Sequence, residues 1–288
     1  MAGGPCPRGE RTWVMGILNL TPDSFSDGGR LATPDAAVRR AGVMLTQGAD
    51  LLDLGAQSTR PGAEEVGAAA EIGRLLPALS AIRAAHPAAL LSVDTFHAPV
   101  AEAALAAGAH WINDVSGGQR DPAILRVLAQ ARCPYVLMHR RGDSRTMDQL
   151  AVYADVVVEV RQELLAATER AVAAGVCPSR IIWDPGLGFA KTTAHNLELL
   201  RRLPELRAEG FPLLIGPSRK RFIGEVLVEP RPRARLWGTA AVCALAIQGG
   251  ADGLRVHDVG PIVQTARMVE ALIPARGVGA AARSVGDG

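Results

Sequence analysis

Eight times along the chain a short apolar run breaks off at a polar or charged residue. Met15-Gly-Ile-Leu stops at Asn19, Leu51-Leu-Asp-Leu-Gly runs into Ser58-Thr-Arg60, Leu90-Leu-Ser-Val stops at Asp94, and Trp111-Ile stops at Asn113-Asp114. Tyr135-Val-Leu-Met stops at His139, Ile181-Ile-Trp at Asp184, Leu213-Leu-Ile-Gly at Ser218-Arg-Lys220, and Leu254 leads to Arg255, Val256 and His257. The runs predict strands near 13–18, 50–55, 89–93, 110–113, 134–138, 180–183, 212–216 and 253–256. Segments of helical spacing lie between and after them, near 34–48, 68–85, 97–108, 121–131, 151–174, 194–208, 232–249 and 259–272. Such alternation argues for a parallel sheet with crossover helices. Eight units in about 250 residues is the arithmetic of a single-domain α/β (β/α)8 TIM barrel. A doubly wound open sheet shares the alternation and is the alternative. In a barrel all strands end on one side, so the polar residues at the breaks would converge on one site.

Local signals support the helices. Thr33-Pro34 and Asp121-Pro122 place a capping side chain before a proline of the first turn. The order "helix, Gly, Ala, polar, strand" recurs at Gly48, Gly108 and Gly250, as expected of a repeated short turn that leads a helix into the next strand. No linker divides the chain, which predicts an N-terminal extension over 1–12, one barrel over 13–275, and a flexible Gly- and Ala-rich tail over 276–288. The longest loops, 19–31, 57–67, 140–149 and 185–193, all follow strands, on the face that carries catalysis in a barrel.

Composition narrows the function. Hydrophobic residues make up 48% of the 288, enough for a sizeable core. With 31 basic and 29 acidic side chains the formal net charge is +2, which gives no electrostatic case for nucleic acid or a membrane surface. Cys6, Cys133, Cys177 and Cys243 are widely spaced, with no C-x-x-C pair, and suggest reduced thiols in a cytoplasmic protein. The first residues lack the apolar core of a secretory signal. The uncharged stretch Leu236 to Ala251 is too short for a comfortable membrane span and reads as a buried or interface helix.

Three sets of residues carry chemistry. Asp94, Asn113 and Asp184 combine two carboxylates with a carboxamide, a set that suits a planar heterocycle with adjacent N–H donors, such as a 2-amino-4-oxo pyrimidine ring. For any one of them alone, a helix cap or an arginine partner is the competing role. Gly216-Pro-Ser-Arg-Lys-Arg-Phe222 sets three cations side by side, where Lys220 is placed to bond a ring atom and at least one neighbour faces solvent. Arg255 and His257 alternate along one strand and, with Asn19, suit a phosphate or diphosphate; Asn19 offers an oxygen to magnesium. His86, His97, His110 and His195 read as structural or surface residues, and Ser92 is a poor nucleophile. Gly186-Leu-Gly188-Phe-Ala-Lys191 resembles part of a phosphate loop but lacks its spacing.

With those residues in view, the chain resembles the dihydropteroate synthases of the folate pathway, from about Val14 to about Ala271. The resemblance rests on Met15-Gly-Ile-Leu-Asn-Leu-Thr-Pro-Asp-Ser-Phe-Ser-Asp-Gly-Gly29, Ser58-Thr-Arg-Pro-Gly62, Ser92-Val-Asp-Thr95, Ile112-Asn-Asp-Val115, Asp184-Pro-Gly-Leu-Gly-Phe189, Ser218-Arg-Lys220 and Arg255-Val-His-Asp258, in that order. It implies a barrel that condenses 6-hydroxymethyl-7,8-dihydropterin diphosphate with p-aminobenzoate, acting as a homodimer with Mg2+. Asp94, Asn113, Asp184 and Lys220 would hold the pterin, with Met138, Phe189 and Gly216 lining its pocket. Asn19, Arg255 and His257 would hold diphosphate and magnesium, and Thr59, Arg60, Pro61, Ser218 and Arg219 would border the aminobenzoate. Asp94, Lys220, Arg255 and Asn19 would be catalytic, and the loops after Asn19 and Gln57 would close as lids. A sulfonamide competes with p-aminobenzoate in this family. The chain departs from the family at Gly55-Ala-Gln-Ser58, where Gly-Gly-Glu-Ser is usual. A pterin-binding methyltransferase on the same barrel, or a silent pterin-binding relative, are the alternatives; a diphosphate site argues against the first.

Overall fold

The computed structural model describes residues 11–21, 33–57 and 66–273. Among these residues eight strands alternate with ten α-helices: β1 (Trp13–Asn19), α1 (Pro34–Thr46), β2 (Leu51–Gly55), α2 (Ala68–Ala85), β3 (Leu91–Asp94), α3 (Ala98–Ala106), β4 (Trp111–Asp114), α4 (Ala123–Ala131), β5 (Tyr135–Met138), α5 (Val156–Ala173), β6 (Ile181–Asp184), α6 (Thr193–Arg201), α7 (Leu203–Arg207), β7 (Leu214–Ile215), α8 (Arg221–Leu227), α9 (Leu236–Gln248), β8 (Gly253–Val256) and α10 (Val259–Leu272). The strands are parallel in the order β6-β5-β4-β3-β2-β1-β8-β7. A parallel bridge from Trp183 to Leu213 joins the two ends, so the sheet closes into a (β/α)8 barrel and the open-sheet alternative fails.

Alternation along the strands divides the side chains. Val14, Leu18, Leu52, Leu54, Leu91, Val93, Ile112, Tyr135, Leu137, Ile181, Trp183, Leu213, Ile215 and Leu254 join the large core between sheet and helices. Trp13, Met15, Leu51, Trp111, Val136, Ile182 and Leu214 form a second cluster inside the barrel. The repeated turn is as expected: Gly48, Gly108 and Gly250 have φ of +96°, +98° and +99°, a conformation that a side chain would strain. Thr33 caps α1 by accepting from the Ala36 N–H at 3.2 Å.

Several boundaries differ from expectation, among them the start of α9, expected near 232 and found at Leu236 after a 3-10 turn over Pro232–Arg235. α5 starts at Val156, not near 151, because Asp155 caps it by accepting from the Val157 and Val158 N–H groups. The segment 194–208 is two helices broken at Arg202, where Pro204 lacks the N–H that would continue the first. β7 starts only at Leu214, because Pro212 cannot donate to a ladder and the Leu213 N–H donates to Asp252 Oδ2 at 2.9 Å instead. The helix α8 was not expected; its apolar face is only Phe222 and Ile223, too short a signal for periodicity. No helix among the described residues is long and apolar enough to cross a membrane. The expected tail, most of the N-terminal extension, Cys6 and the tips of both expected lids lie outside the described residues.

Candidate active site

At the C-terminal end of the barrel a cleft of about 800 Å³ opens, lined among others by Asn19, Gln57, Asp94, Phe189, Gly216, Ser218, Arg219, Lys220, Arg255 and His257. Strand register sets the polar ends level: Asn19 pairs with Gly55, Gly55 with Asp94, Asp94 with Asn113, and Met138 with Asp184. Thr59, Arg60 and Pro61 lie outside the described residues. The other candidates converge on this end.

The centre is an ion cluster. The Arg255 guanidinium reaches across the barrel and donates from Nε to Asp53 Oδ2 at 2.6 Å and from Nη2 to Asp94 Oδ2 at 2.7 Å. Asn113 donates its amide to the same Asp53 oxygen at 3.0 Å. Burial disfavours the Arg255 charge, but Asp53 and Asp94 more than offset this and hold its pKa above the ordinary value. Burial pushes Asp94 up to about 7, against the pull of Arg255, with Asp53 and Asp114 adding repulsion. Asp53 is a site residue that the sequence reading missed. A carboxylate in the middle of an apolar strand, Leu51-Leu-Asp-Leu-Gly, was the available signal, since an unpaired charge there is prohibitive. Its Oδ1 is buried without a hydrogen-bond partner.

Opposite this cluster Asp184 ends β6 and accepts from the Gly186 N–H at 2.7 Å. Burial raises its pKa, with the Gly186 bond and Lys220 opposing. Lys220 lies just before α8, with its ammonium 4.3 Å from the Phe189 ring centroid, and burial pushes it down to about 8. Met138 packs with Phe96 and Val115, and Phe189 leans on that group. The slot of the cleft at this point has Asp94 and Lys220 in its lining and the Phe189 ring on one side. Asp114, adjacent to Asn113, has the structural role instead: it accepts from the Ser116 and Gly118 N–H groups and from the Tyr135 hydroxyl.

The rim carries the remaining candidates. Ser218 Oγ lies 2.9 Å from His257 Nδ1 and accepts from the His257 backbone N–H, so the presumed aminobenzoate and diphosphate residues touch. Arg219, at φ +61°, forms a two-pronged ion pair with Asp258 at 3.0 and 2.6 Å. Arg221 is the solvent-facing cation of the triplet, paired loosely with Asp148 and Glu225. Gln57 lines the cleft, and its buried amide oxygen has no partner. Four of the other five histidines are structural, as expected: His195 completes the capping box of α6, His110 bonds Arg83, His86 contacts Val38 O, and His97 precedes α3 beside Glu71. Among the described residues no group of three or more His, Cys, Asp or Glu side chains could hold a metal ion.

Comparison with known proteins decides the family. The family described as "Pterin binding enzyme" matches residues 15–257. The dihydropteroate synthase of Synechocystis is 50% identical over 264 residues, covering 92% of this chain and 91% of its own. The chain belongs to the pterin-binding enzyme family, among its dihydropteroate synthases. A Xanthomonas albilineans dihydropteroate synthase solved with 4-aminobenzoic acid superposes with a TM-score of 0.85 at 45% identity, covering 92% of this chain and 94% of that one. The same enzyme in complex with 7,8-dihydropteroate gives a TM-score of 0.82 at 43% identity, over 92% and 95% of the two chains. Membership makes the chain a transferase of folate biosynthesis, with the pterin-binding barrel as its catalytic unit.

Proposed function

We propose that the chain condenses 6-hydroxymethyl-7,8-dihydropterin diphosphate with p-aminobenzoate, releasing diphosphate and giving 7,8-dihydropteroate. The observation that carries this reading is the convergence of Asp94, Asn113, Asp184 and Lys220 on one end of the barrel, where Asp94 and Asn113 are level in register, Asn113 and Arg255 share Asp53, and Lys220 lies on the Phe189 ring. The aminopyrimidine edge of the pterin donates to carboxylate, and Lys220 donates to a ring acceptor. His257 at the rim takes the diphosphate, together with Arg255 of the ion cluster beneath it. Ser218 and Arg219 face the aminobenzoate, with Thr59, Arg60 and Pro61 on the adjoining loop.

The chemistry follows from charge. Loss of diphosphate leaves an electron-poor methylene carbon conjugated to the dihydropterin ring. Asp94, in its ionised form, favours that carbon's positive character. The aromatic amine then attacks, forming the C–N bond, and loses a proton to solvent or to the departing diphosphate. No covalent enzyme intermediate is needed. Mg2+ fits the donor set only as an ion shared with substrate: Asn19 would supply one protein oxygen, and the diphosphate and water the rest. When bound, the ion would neutralise the leaving group. A homodimer in the cytoplasm completes the reading, supported by Trp237 and Leu245 of α9, which are 78% and 60% exposed.

The test is diphosphate release with both substrates, repeated with a sulfonamide and with Asp184→Asn. Turnover that needs both substrates, competition by the sulfonamide against p-aminobenzoate, and weakened pterin binding by a folded variant are expected. Pterin binding without turnover would leave a silent relative as the better reading.

A further inference from the structure

The segment Gly186-Leu-Gly188-Phe-Ala-Lys191 looks like a fragment of a phosphate loop, yet its lysine turns inward. Lys191 is 3% exposed. Its ammonium donates to Gly186 O at 3.1 Å and to Phe189 O at 2.9 Å, and lies 2.9 Å from His139 Nδ1. Burial, then Lys191, pushes the His139 imidazole down to about 4, so the ring is neutral. Its Nδ1 therefore accepts from Lys191, and its Nε2 donates to Glu163 Oε2 at 3.0 Å. Glu163 is held in turn by Arg141 at 3.0 Å. Three ammonium donors thus meet three acceptors. Burial pushes Lys191 down to about 7, with Asp184 and Glu163 opposing, so the full set is in place at slightly acid pH.

What the ammonium grips is a strained loop. Gly186, Gly188 and Ala190 have φ of +67°, +79° and +49°, a left-handed conformation that the Cβ of Ala190 disfavours. A Cβ on Gly186 would fall 2.0 Å from His139 O, so the loop is seated directly on the end of β5. Two proposed pterin contacts hang from it. The Gly186 N–H orients Asp184, and Phe189 carries the ring against which Lys220 rests.

We propose that Lys191 is the positioning residue of the pterin slot: by holding Gly186 O and Phe189 O against His139 it sets Asp184 and the Phe189 ring, with its three ammonium donors spent inside the protein. This rests on the pterin reading above. It predicts a loss confined to one substrate. At slightly acid pH, Lys191→Met raises the KM for the dihydropterin diphosphate about tenfold to a hundredfold, while the KM for p-aminobenzoate stays within about twofold. Lys191→Gln, which keeps two amide donors, recovers part of the loss. In a Phe189→Leu background the Lys191→Met effect shrinks to a few-fold, because the wall it sets is already gone.

A variant that lowers kcat through a smaller folded fraction, with both KM values unchanged, overturns the proposal and leaves Lys191 merely structural. So does full additivity with Phe189→Leu. If Lys191→Met does not fold, Lys191→Gln carries the same KM comparison. Isothermal titration of the wild type with a pterin separates the two readings. A wild type that binds no pterin refutes the slot, whereas a wild type that binds pterin with a variant that binds it equally refutes only the role of Lys191.

Discussion

At the N-terminal end of the barrel interior Trp13 and Trp111 meet edge to face with ring centroids 5.3 Å apart, packed with Met15, Leu51, Val136, Ile182 and Leu214. Gly253 is required there, since a Cβ would lie 2.3 Å from the Trp13 indole. At the C-terminal end of the same strands the inward positions are Asn19, Asp94, Asn113, Asp184 and Arg255, with Asp53 just beneath. One end is held by shape and dispersion, the other by charges that satisfy one another only while each partner is present. The contrast teaches that pH acts on one end and volume on the other, and that difference can be broken by experiment.

The largest effect is expected from Arg255→Met. It strands Asp53 and Asp94 side by side, and losing one member of a buried ion cluster costs about 3–5 kcal/mol. The cost should be greatest at alkaline pH and shrink at acid pH, where Asp94, already pushed up to about 7, takes a proton. Turnover should be lost. Urea unfolding at two pH values checks this, and a loss that does not vary with pH would erase the contrast. Trp111→Ala should cost a similar 3–5 kcal/mol by leaving a cavity, but equally at both pH values and with KM unchanged in the folded fraction.

A third, smaller effect lies beside the acidic end. Glu71 is 1% exposed, and burial pushes it up to about 7, with a Thr95 bond opposing and Asp94 adding to the rise. The folded state therefore binds the proton more tightly than the unfolded one. The stability this contributes is complete below the unfolded value of 4.5 and is lost as pH rises to about 7. Glu71→Gln should stabilise the protein by about 2–3 kcal/mol at about pH 8 and by almost nothing at about pH 4. Thermal melts at both pH values decide it. The smallest expected effect is the pH profile of kcat/KM for the pterin substrate. It should fall as Asp94 loses its negative charge below about 7, and again as Lys191 and Lys220 lose their positive charges above about 7 and about 8. Asp94→Asn should remove the acid limb from whatever activity remains.

Much of this was legible beforehand. The eight strand ends announced the barrel, and Asp94, Asn113, Asp184, Lys220 and Arg255 each stood at the break of a run. What was not legible is how they use one another. The sequence pattern makes Arg255 a diphosphate and catalytic residue but does not show that it bridges Asp53 and Asp94, which lie on β2 and β3. Asp53 was hidden because it interrupts an apolar run without ending it. Lys191 was set aside with a failed loop motif, and His139, the partner that explains it, lies 52 residues away.

Local chemistry fixed the elements themselves: the alternation of apolar runs and helical spacing, the capping side chains, and the glycines at 48, 108 and 250 that permit a left-handed turn. These depend on contacts within a few residues, which sequence records directly. Closure of the sheet by Trp183 and Leu213, the pairing of Arg255 with two carboxylates, and the meeting of Lys191 with the His139 imidazole are different in kind. Each joins atoms that the chain alone leaves far apart. Burial then decides their protonation, so only the folded barrel settles which charges it keeps.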